Sequence, residues 1–358
     1  MARRIGRMMK WLLIAIFLVA VVLAIPVVYV EAACVQPPQE DSYEPIVANP
    51  VSERSEADTY LSYPQWHIVH AHEGIANVLK DGDAHDFDYA DSVVGFWKSF
   101  CDLNSVASQN GAEDIRQRLP IHARGAGFTL EMMLRAGYEE TLGRLFAIGR
   151  GDEKAPQDRK AAEIAADYAR SLQSPGHSYD FDDAVDVLWD EPLTHPLRGW
   201  ERRIVLGGAL KAKAAYMGLI NGTDGASARV GSPTRSVITG VSADRLSQIE
   251  DVAVVEKHAH YSVIETRQLK TFNEAFLAVA GEGGRVLEIA GNDDIMVSVI
   301  GPMPDPATSI AGHEIITLVN RDGFDGKRAL LKVKITELAS LAAQLKSSAM
   351  QLERIYAH

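Results

Sequence analysis

The chain has 358 residues, 47% of them hydrophobic and 23% charged, with no low-complexity tract, a composition that excludes a disordered protein. Two cysteines, Cys34 and Cys101, are too few for a disulfide framework but allow one bridge outside the cytosol. The formal charge of −12 is uneven: Arg3, Arg4, Arg7 and Lys10 against Glu31 leave residues 1–33 at +3 and the rest at −15, which argues against nucleic acid as a partner.

Residues 1–10 read as a basic tail. Trp11 to Val30 is 20 consecutive residues without a charge, and a helix of that length reaches about 30 Å, the thickness of a bilayer's hydrocarbon core. Basic residues precede it, and Glu31, Glu40 and Asp41 follow. The positive-inside rule then predicts a single-pass protein of a cell inner membrane, with its N-terminus cytoplasmic and its bulk periplasmic. Two rival readings are a signal peptide cut near Ala32 and a lipoprotein acylated at Cys34. The run is longer than a signal peptide's apolar core, and Glu31 sits where a lipoprotein site normally carries an apolar residue.

Residues 31–60, with Pro37, Pro38, Pro45 and Pro50, read as a linker off the membrane. Residues 61–221 are expected to form an α-helical domain. Its first helix starts at Ser62, with Pro64 in the first turn, and runs to Leu79. Further helices are expected over Tyr89–Asn104, Thr129–Ile148, Asp158–Leu172, Asp182–Trp189 and Leu197–Ile220. The Gly- and Ser-rich stretch from Asn221 to Pro233 marks a boundary.

Residues 234–358 then change to an α+β pattern with a mainly antiparallel sheet. Expected strands are Val252–Ile264, Val286–Ile289, Ile295–Ile300, Glu314–Val319 and Arg328–Ile335, with a helix over Leu269–Ala280. Asn292-Asp293-Asp294 and Asn320-Arg321-Asp322-Gly323 read as hairpin turns. A terminal helix is expected over Glu337–Tyr356. Its Leu338, Leu345 and Leu352 repeat every seven residues, which suits a coiled-coil seam for self-association or for a membrane-protein partner.

Three groups of residues carry candidate chemistry. On the first ectodomain helix, His67 and His70 fall on the polar side of the wheel with Glu73, while His72 falls on the apolar face. His258 and His260 would project from one face of a strand. Convergence of His67, His70, His258 and His260 would make a divalent-metal site, with Glu73 as base of a metal-dependent hydrolase. Against it, the i,i+4 spacing of helical metal pairs is missing, and the simpler reading is favoured: His67 and His70 as surface residues, His72 as a core histidine donating to a carbonyl, and His258 and His260 on the solvent-facing side of a sheet. Finally, Arg198, Trp200, Arg202 and Lys213 line one side of a helix and would contact a membrane surface, or be a solvated face.

The acidic loop from Asp81 to Asp88 lacks the order and closing Glu of an EF-hand. Nucleophile-elbow, phosphate-loop and C-x-x-C motifs are absent. These features favour a membrane-anchored extracytoplasmic accessory or binding protein over an enzyme. The alternatives are the metal-dependent hydrolase and a lipid- or small-molecule-binding carrier with a pocket.

Overall fold

The computed structural model of the chain describes residues 2–40, 42–47, 53–173, 179–221, 233–266, 270–304 and 307–357. The boundary expected at 221–233 falls almost wholly outside them. Helix α1 (Ala2–Ala33) contains Met9–Ala33, one helix long and apolar enough to cross a membrane by length and composition. Its last three turns are not free: Leu23, Pro26 and Val27 are half-buried, and Val30 and Cys34 are buried against the helices that follow. Glu31 pairs with Arg118 and His122, at 2.8 and 2.7 Å. Cys34 is disulfide-bonded to Cys101. That bridge closes a separation of 67 residues, which loop-closure arithmetic makes worth about 4 kcal/mol.

The expected linker is a strap rather than a tether. Gln36 N–H donates to Ser108 Oγ and Gln39 N–H to Gln109 O. The Tyr43 hydroxyl and Ile46 N–H both donate to the buried Glu288 carboxylate, and Arg54 N–H donates to Ala290 O. The strap thus runs from the helical part to the sheets.

The helical part comprises α2 (Ala57–Asp81), α3 (Tyr89–Gln109), α4 (Ile115–Tyr138), α5 (Arg144–Arg150), α6 (Pro156–Gln173), α7 (Phe181–Asp190) and α8 (Pro196–Asn221). Helices α4 and α5 are joined by a π-helical turn over Glu139–Gly143. Two starts are earlier than the pattern predicted. Helix α2 begins at Ala57, where Thr59 Oγ1 donates to Tyr356 O and Lys332 pairs with Glu56, so Pro64 lies in its second turn. Helix α4 begins at Ile115 after the Asp114 cap and passes through Gly125, where a Cβ would stand 2.4 Å from the Phe96 ring.

Beyond the helices, β1 (Thr234–Thr239), β2 (Val252–Lys257), β3 (Ser262–Thr266) and β4 (Arg285–Ile289) form an antiparallel sheet of order β2-β3-β1-β4. The expected long strand Val252–Ile264 is therefore a hairpin, turning through residues 258–261. A short α9 (Ala243–Leu246) follows β1, and α10 (Lys270–Gly281) follows β3. Strands β5 (Asp294–Gly301), β6 (Ser309–Ile310), β7 (His313–Asn320), β8 (Lys327–Lys334) and β9 (Gln351–Ile355) form a second sheet, order β6-β7-β8-β5-β9, also antiparallel. Asn292-Asp293-Asp294 is a corner between the two sheets, not a hairpin. The β7–β8 turn is a hairpin as expected.

The terminal helix is shorter than its heptads implied. Helix α11 covers Leu338–Lys346 only, and Leu352 and Ile355 belong to β9, paired with β5. Leu338, Leu341 and Leu345 are buried, so these leucines face the core and not a partner helix.

Strand alternation sets the two layers. Ile295, Val297 and Val299 of β5 and Leu331 and Val333 of β8 pack toward the first sheet, α10 and α11. Met296 and Leu330 face the other way, onto Tyr60 and Tyr63 of α2 and Leu103 of α3. Both faces of the second sheet are covered, and α2 is enclosed between that sheet and the helical bundle.

Candidate functional site

Because α2 is enclosed, its histidines lead into two buried centres on different sides of the helix. His67 and His70 lie 60° apart on the wheel, and His72 points about 140° away from His67. All three are buried, His67 to 1% exposure, so the polar side of the sequence wheel is a core face.

The first centre sits between α2, α3 and the second sheet. His67 Nε2 donates to Ser92 O at 2.9 Å, which fixes the proton on that nitrogen, and it lies 3.6 Å from Asp322 Oδ2. Burial pushes the His67 imidazole down to about 3 and the Asp322 carboxyl up to about 7. Both groups are thus held neutral between about pH 3 and pH 7. His70 Nδ1 meets Glu73 Oε2 at 2.9 Å, and burial lowers its pKa as well. Next to them Arg328 forms two hydrogen bonds to Glu353, at 2.6 and 2.7 Å. Burial alone would raise Glu353, but Arg328 outweighs it and holds the carboxyl down to about 2. Gly74 of α2 lets the β7–β8 turn close on this centre: Asn77 Nδ2 donates to Gly323 O at 2.9 Å. The centre is a tightly closed polar joint between helix and sheet.

Its pH dependence separates the groups by sign. Asp322 binds its proton more tightly folded than unfolded, so its stabilising contribution is full below about pH 4 and lost as pH rises through 7. His67 acts in the opposite sense: its folded pKa is depressed, so its contribution grows as pH rises from about 3 to 6.5. We expect Asp322→Asn to remove only the first slope. In urea unfolding, the stability of the variant relative to the parent should rise by about 2–3 kcal/mol between pH 5 and pH 8. Parallel pH profiles for the two proteins would contradict the burial of Asp322 as the neutral acid.

The second centre surrounds His72. His72 Nδ1–H donates to Ile68 O at 2.9 Å, leaving Nε2 to accept from Lys213 Nζ at 3.0 Å. Lys213 spends its other donors on Glu131, at 2.8 and 2.9 Å, and stands over the Tyr168 ring. Burial draws this ammonium down to about 8. Glu131 also accepts Arg135, at 3.0 Å. Helix α8 supplies the neighbouring arginines. Arg198 reaches Asp158 at 2.9 Å, Glu201 at 3.0 Å and Gly143 O at 3.2 Å. Arg202 grips Glu139 at 2.9 and 2.7 Å, and Arg150 joins Asp83 and Asp158. The π-helical turn presents both Glu139 and the Gly143 carbonyl to this network, an arrangement typical of such turns at functional sites.

These side chains line a cavity of about 70 Å³ between α2, α4, α6 and α8, several times the roughly 10–15 Å³ that one water needs on the same measure. Its lining mixes apolar side chains, Ile75, Leu79, Ile164, Phe181, Leu206 and Leu210, with charged ones, five cations (Arg135, Lys154, Arg198, Arg202, Lys213) against three carboxylates (Asp83, Glu139, Asp158). Arg198, Arg202 and Lys213 are committed to their partners. Arg135 has one carboxylate partner, Glu131, among the described residues, and so retains donors for a ligand. No Ser, Thr or Cys side chain lines the cavity.

The sequence-predicted sites are placed as follows. His67 and His70 come together with Asp322, Arg328 and Glu353, not with His258 and His260. Those two lie exposed in the β2–β3 turn, His258 stacked on Tyr261 and 3.2 Å from Glu256, with the second sheet between them and α2. Among the described residues no three His, Cys, Asp or Glu side chains form a metal-binding group. Arg198 and Arg202 are 3% and 4% exposed and, with the mostly buried Lys213, turn inward to the ion-pair network, so they form no surface stripe; Trp200 alone remains outside. In the acidic loop, Asp83 pairs with Arg150 and Asp88 caps α3. Cys101 is the disulfide partner of Cys34 and so not a thiol nucleophile. Missed by sequence reasoning were Arg135, Glu131, Asp158 and Glu139; only the run Arg198-Gly-Trp-Glu201-Arg202 hinted that the cations had acidic company.

In comparison with known proteins, the chain matches no family model, no curated protein and no solved structure.

Proposed function

We propose that the chain is a membrane-anchored, extracytoplasmic binding protein whose helical bundle takes a small organic anion with an apolar portion. The observation that carries this reading is a cavity of mixed apolar and charged lining, with more cations than carboxylates and with Arg135 donors to spare. It favours the small-molecule-binding alternative over a metal hydrolase.

The anchored topology is supported from both ends of α1. Four basic residues precede the apolar segment, which by the positive-inside rule sets the N-terminus in the cytoplasm and the body outside, at a cell inner membrane. The Cys34–Cys101 disulfide suits an oxidising compartment. Val30 and Glu31 support retention of the segment, since a chain cut near Ala32 would lose the buried Val30 contact and leave Arg118 and His122 without their carboxylate.

The test is a melting-temperature panel on the full chain in detergent, with short- and medium-chain monocarboxylates and the matching neutral alcohols. An anion at 100 times its Kd adds about 2.7 kcal/mol, and the alcohols add nothing comparable. Arg135→Ala should weaken binding at least about tenfold, since a charge-assisted hydrogen bond is worth about 1.5–3 kcal/mol. An identical response to acids and alcohols would contradict the reading.

A further inference from the structure

The cationic stripe turns inward on folding, yet the helices around it leave a broad apolar surface uncovered. On α4 and α5, Leu134, Leu145 and Ile148 are 66%, 65% and 69% exposed; on α8, Leu197 and Ile204 are 79% and 63% exposed. A uniform patch of this kind marks an interaction surface on an otherwise soluble body.

Its position follows from helix geometry. Stepping 100° per residue, α4 turns Leu119, Ala123, Leu130 and Leu134 outward. Arg118 and His122, which hold Glu31 of α1, lie on one flank of that strip; Glu131 and Tyr138, which hold Lys213 and Glu201 of α8, lie on the other. The apolar strip of α4 therefore runs between α1 and α8. Helix α8 is antiparallel to α4, since Tyr216 meets Gly127 and Arg198 meets Gly143, and its own apolar face opens on the same side. The body also reaches back along α1: Leu23, Pro26 and Val27 are partly covered. A span needs only about 20 of the 25 residues in Met9–Ala33, so the body stands beside the last turns of α1 rather than above them. The disulfide and the Glu31 ion pairs fix that placement.

Charge agrees. The exposed ionisable residues on Ile115–Arg150 and Pro196–Tyr216 are Arg116, which pairs with Asp114, and Arg124, Arg144 and Lys211 against Glu140, on a body that carries −15 overall. Trp189 and Trp200 pack edge to face at the rim with Arg203 across both rings, an aromatic and cationic pairing suited to lipid headgroups.

We infer that the outward face of α4, α5 and α8 rests in the headgroup layer of the same bilayer that α1 enters, on anionic lipid, making the protein monotopic as well as anchored. The inference rests on α1 being an anchor, and the test keeps the two apart. In the full chain, whose native cysteines are bridged, single substitutions Leu18→Cys, Leu134→Cys, Leu145→Cys and Lys257→Cys carry an environment-sensitive fluorophore. Each protein is reconstituted into vesicles of phosphatidylcholine and phosphatidylglycerol and quenched by a nitroxide-bearing lipid or by aqueous iodide.

The expected result is lipid quenching at 18, 134 and 145 at least roughly twofold stronger than at 257, with iodide favouring 257. Lipid quenching at 18 with water-like behaviour at 134 and 145 would overturn the inference and leave the anchor standing. Water-like behaviour at all four would overturn both. Shielding of 134 and 145 from both quenchers would mean that a second copy covers the face, and would also overturn it.

Discussion

Gly74→Ala is expected to cost at least about 4 kcal/mol, the range reserved for large steric or packing defects, although the substitution is to a better helix former. A Cβ on Gly74 would stand 2.0 Å from Asp322 O and 2.5 Å from its carbonyl carbon, both backbone atoms that no rotamer change can move. The β7–β8 turn must lift off α2, breaking the Asn77–Gly323 hydrogen bond and opening the contact between His67 and Asp322. Gly137→Ala is the matching control. It too is helical, with nothing within 4 Å of its added Cβ, and ought to gain up to about 1 kcal/mol from propensity. Urea unfolding of both variants reads the contrast. A mild effect at Gly74 comparable with Gly137 would contradict the close helix–turn contact.

Removal of single members from the ion-pair network should be nearly as severe. Arg198→Met leaves Asp158 with Arg150 and Glu201 with Arg202, each short of one buried cation, and Asp158→Asn leaves Arg150 and Arg198 short of one carboxylate. Breaking a buried pair from one side costs about 3–5 kcal/mol, because the abandoned charge stays desolvated. The double variant Arg198→Met/Asp158→Asn should fall short of the sum by about 1–3 kcal/mol, the coupling of groups within one network. Strict additivity would show that the two side chains do not share an environment. The same network was read from sequence as a surface stripe because, Glu201 apart, its acids lie far away in the chain: Asp158 is 40 residues before Arg198, and Glu139 is 63 before Arg202. Cationic periodicity on a helix says nothing about which way the cations face.

What could be read from sequence was what depends on local pattern. The apolar segment, the order of helices then strands, and the positions of β4, β5, β7 and β8 follow from hydrophobic periodicity and turn residues. What could not be read depends on tertiary enclosure. His67 and His70 sat on the polar side of a wheel that assumes solvent, whereas α2 has a sheet on that side. The leucines of the terminal segment have the same spacing whether they form a heptad or split between α11 and β9. Pairing of β9 with β5 decided it, a contact between residues more than 50 positions apart. Val252–Ile264 looked like one strand because the β2–β3 turn, Ala259 and Tyr261 included, carries no glycine or proline.

The candidate site was legible only in fragments. His72 was placed on the apolar face and expected to donate to a carbonyl, which it does, to Ile68 O. Its second nitrogen and the Lys213–Glu131–Arg135 group around it come from three helices, and no local signal joins them. Cavities are a property of how helices fail to fill space, and a sequence pattern records which faces are apolar but not how closely they meet.

The central claim, an anion-binding cavity in the helical bundle, is tested most directly by titration calorimetry of one responsive monocarboxylate against the parent chain and against Ala165→Leu. Ala165 lines the cavity, so leucine there fills it without replacing a charged residue. The predicted result is saturable binding to the parent, abolished in Ala165→Leu while that variant unfolds at the same or higher urea concentration. Equal binding to both proteins would place the ligand elsewhere and contradict the account.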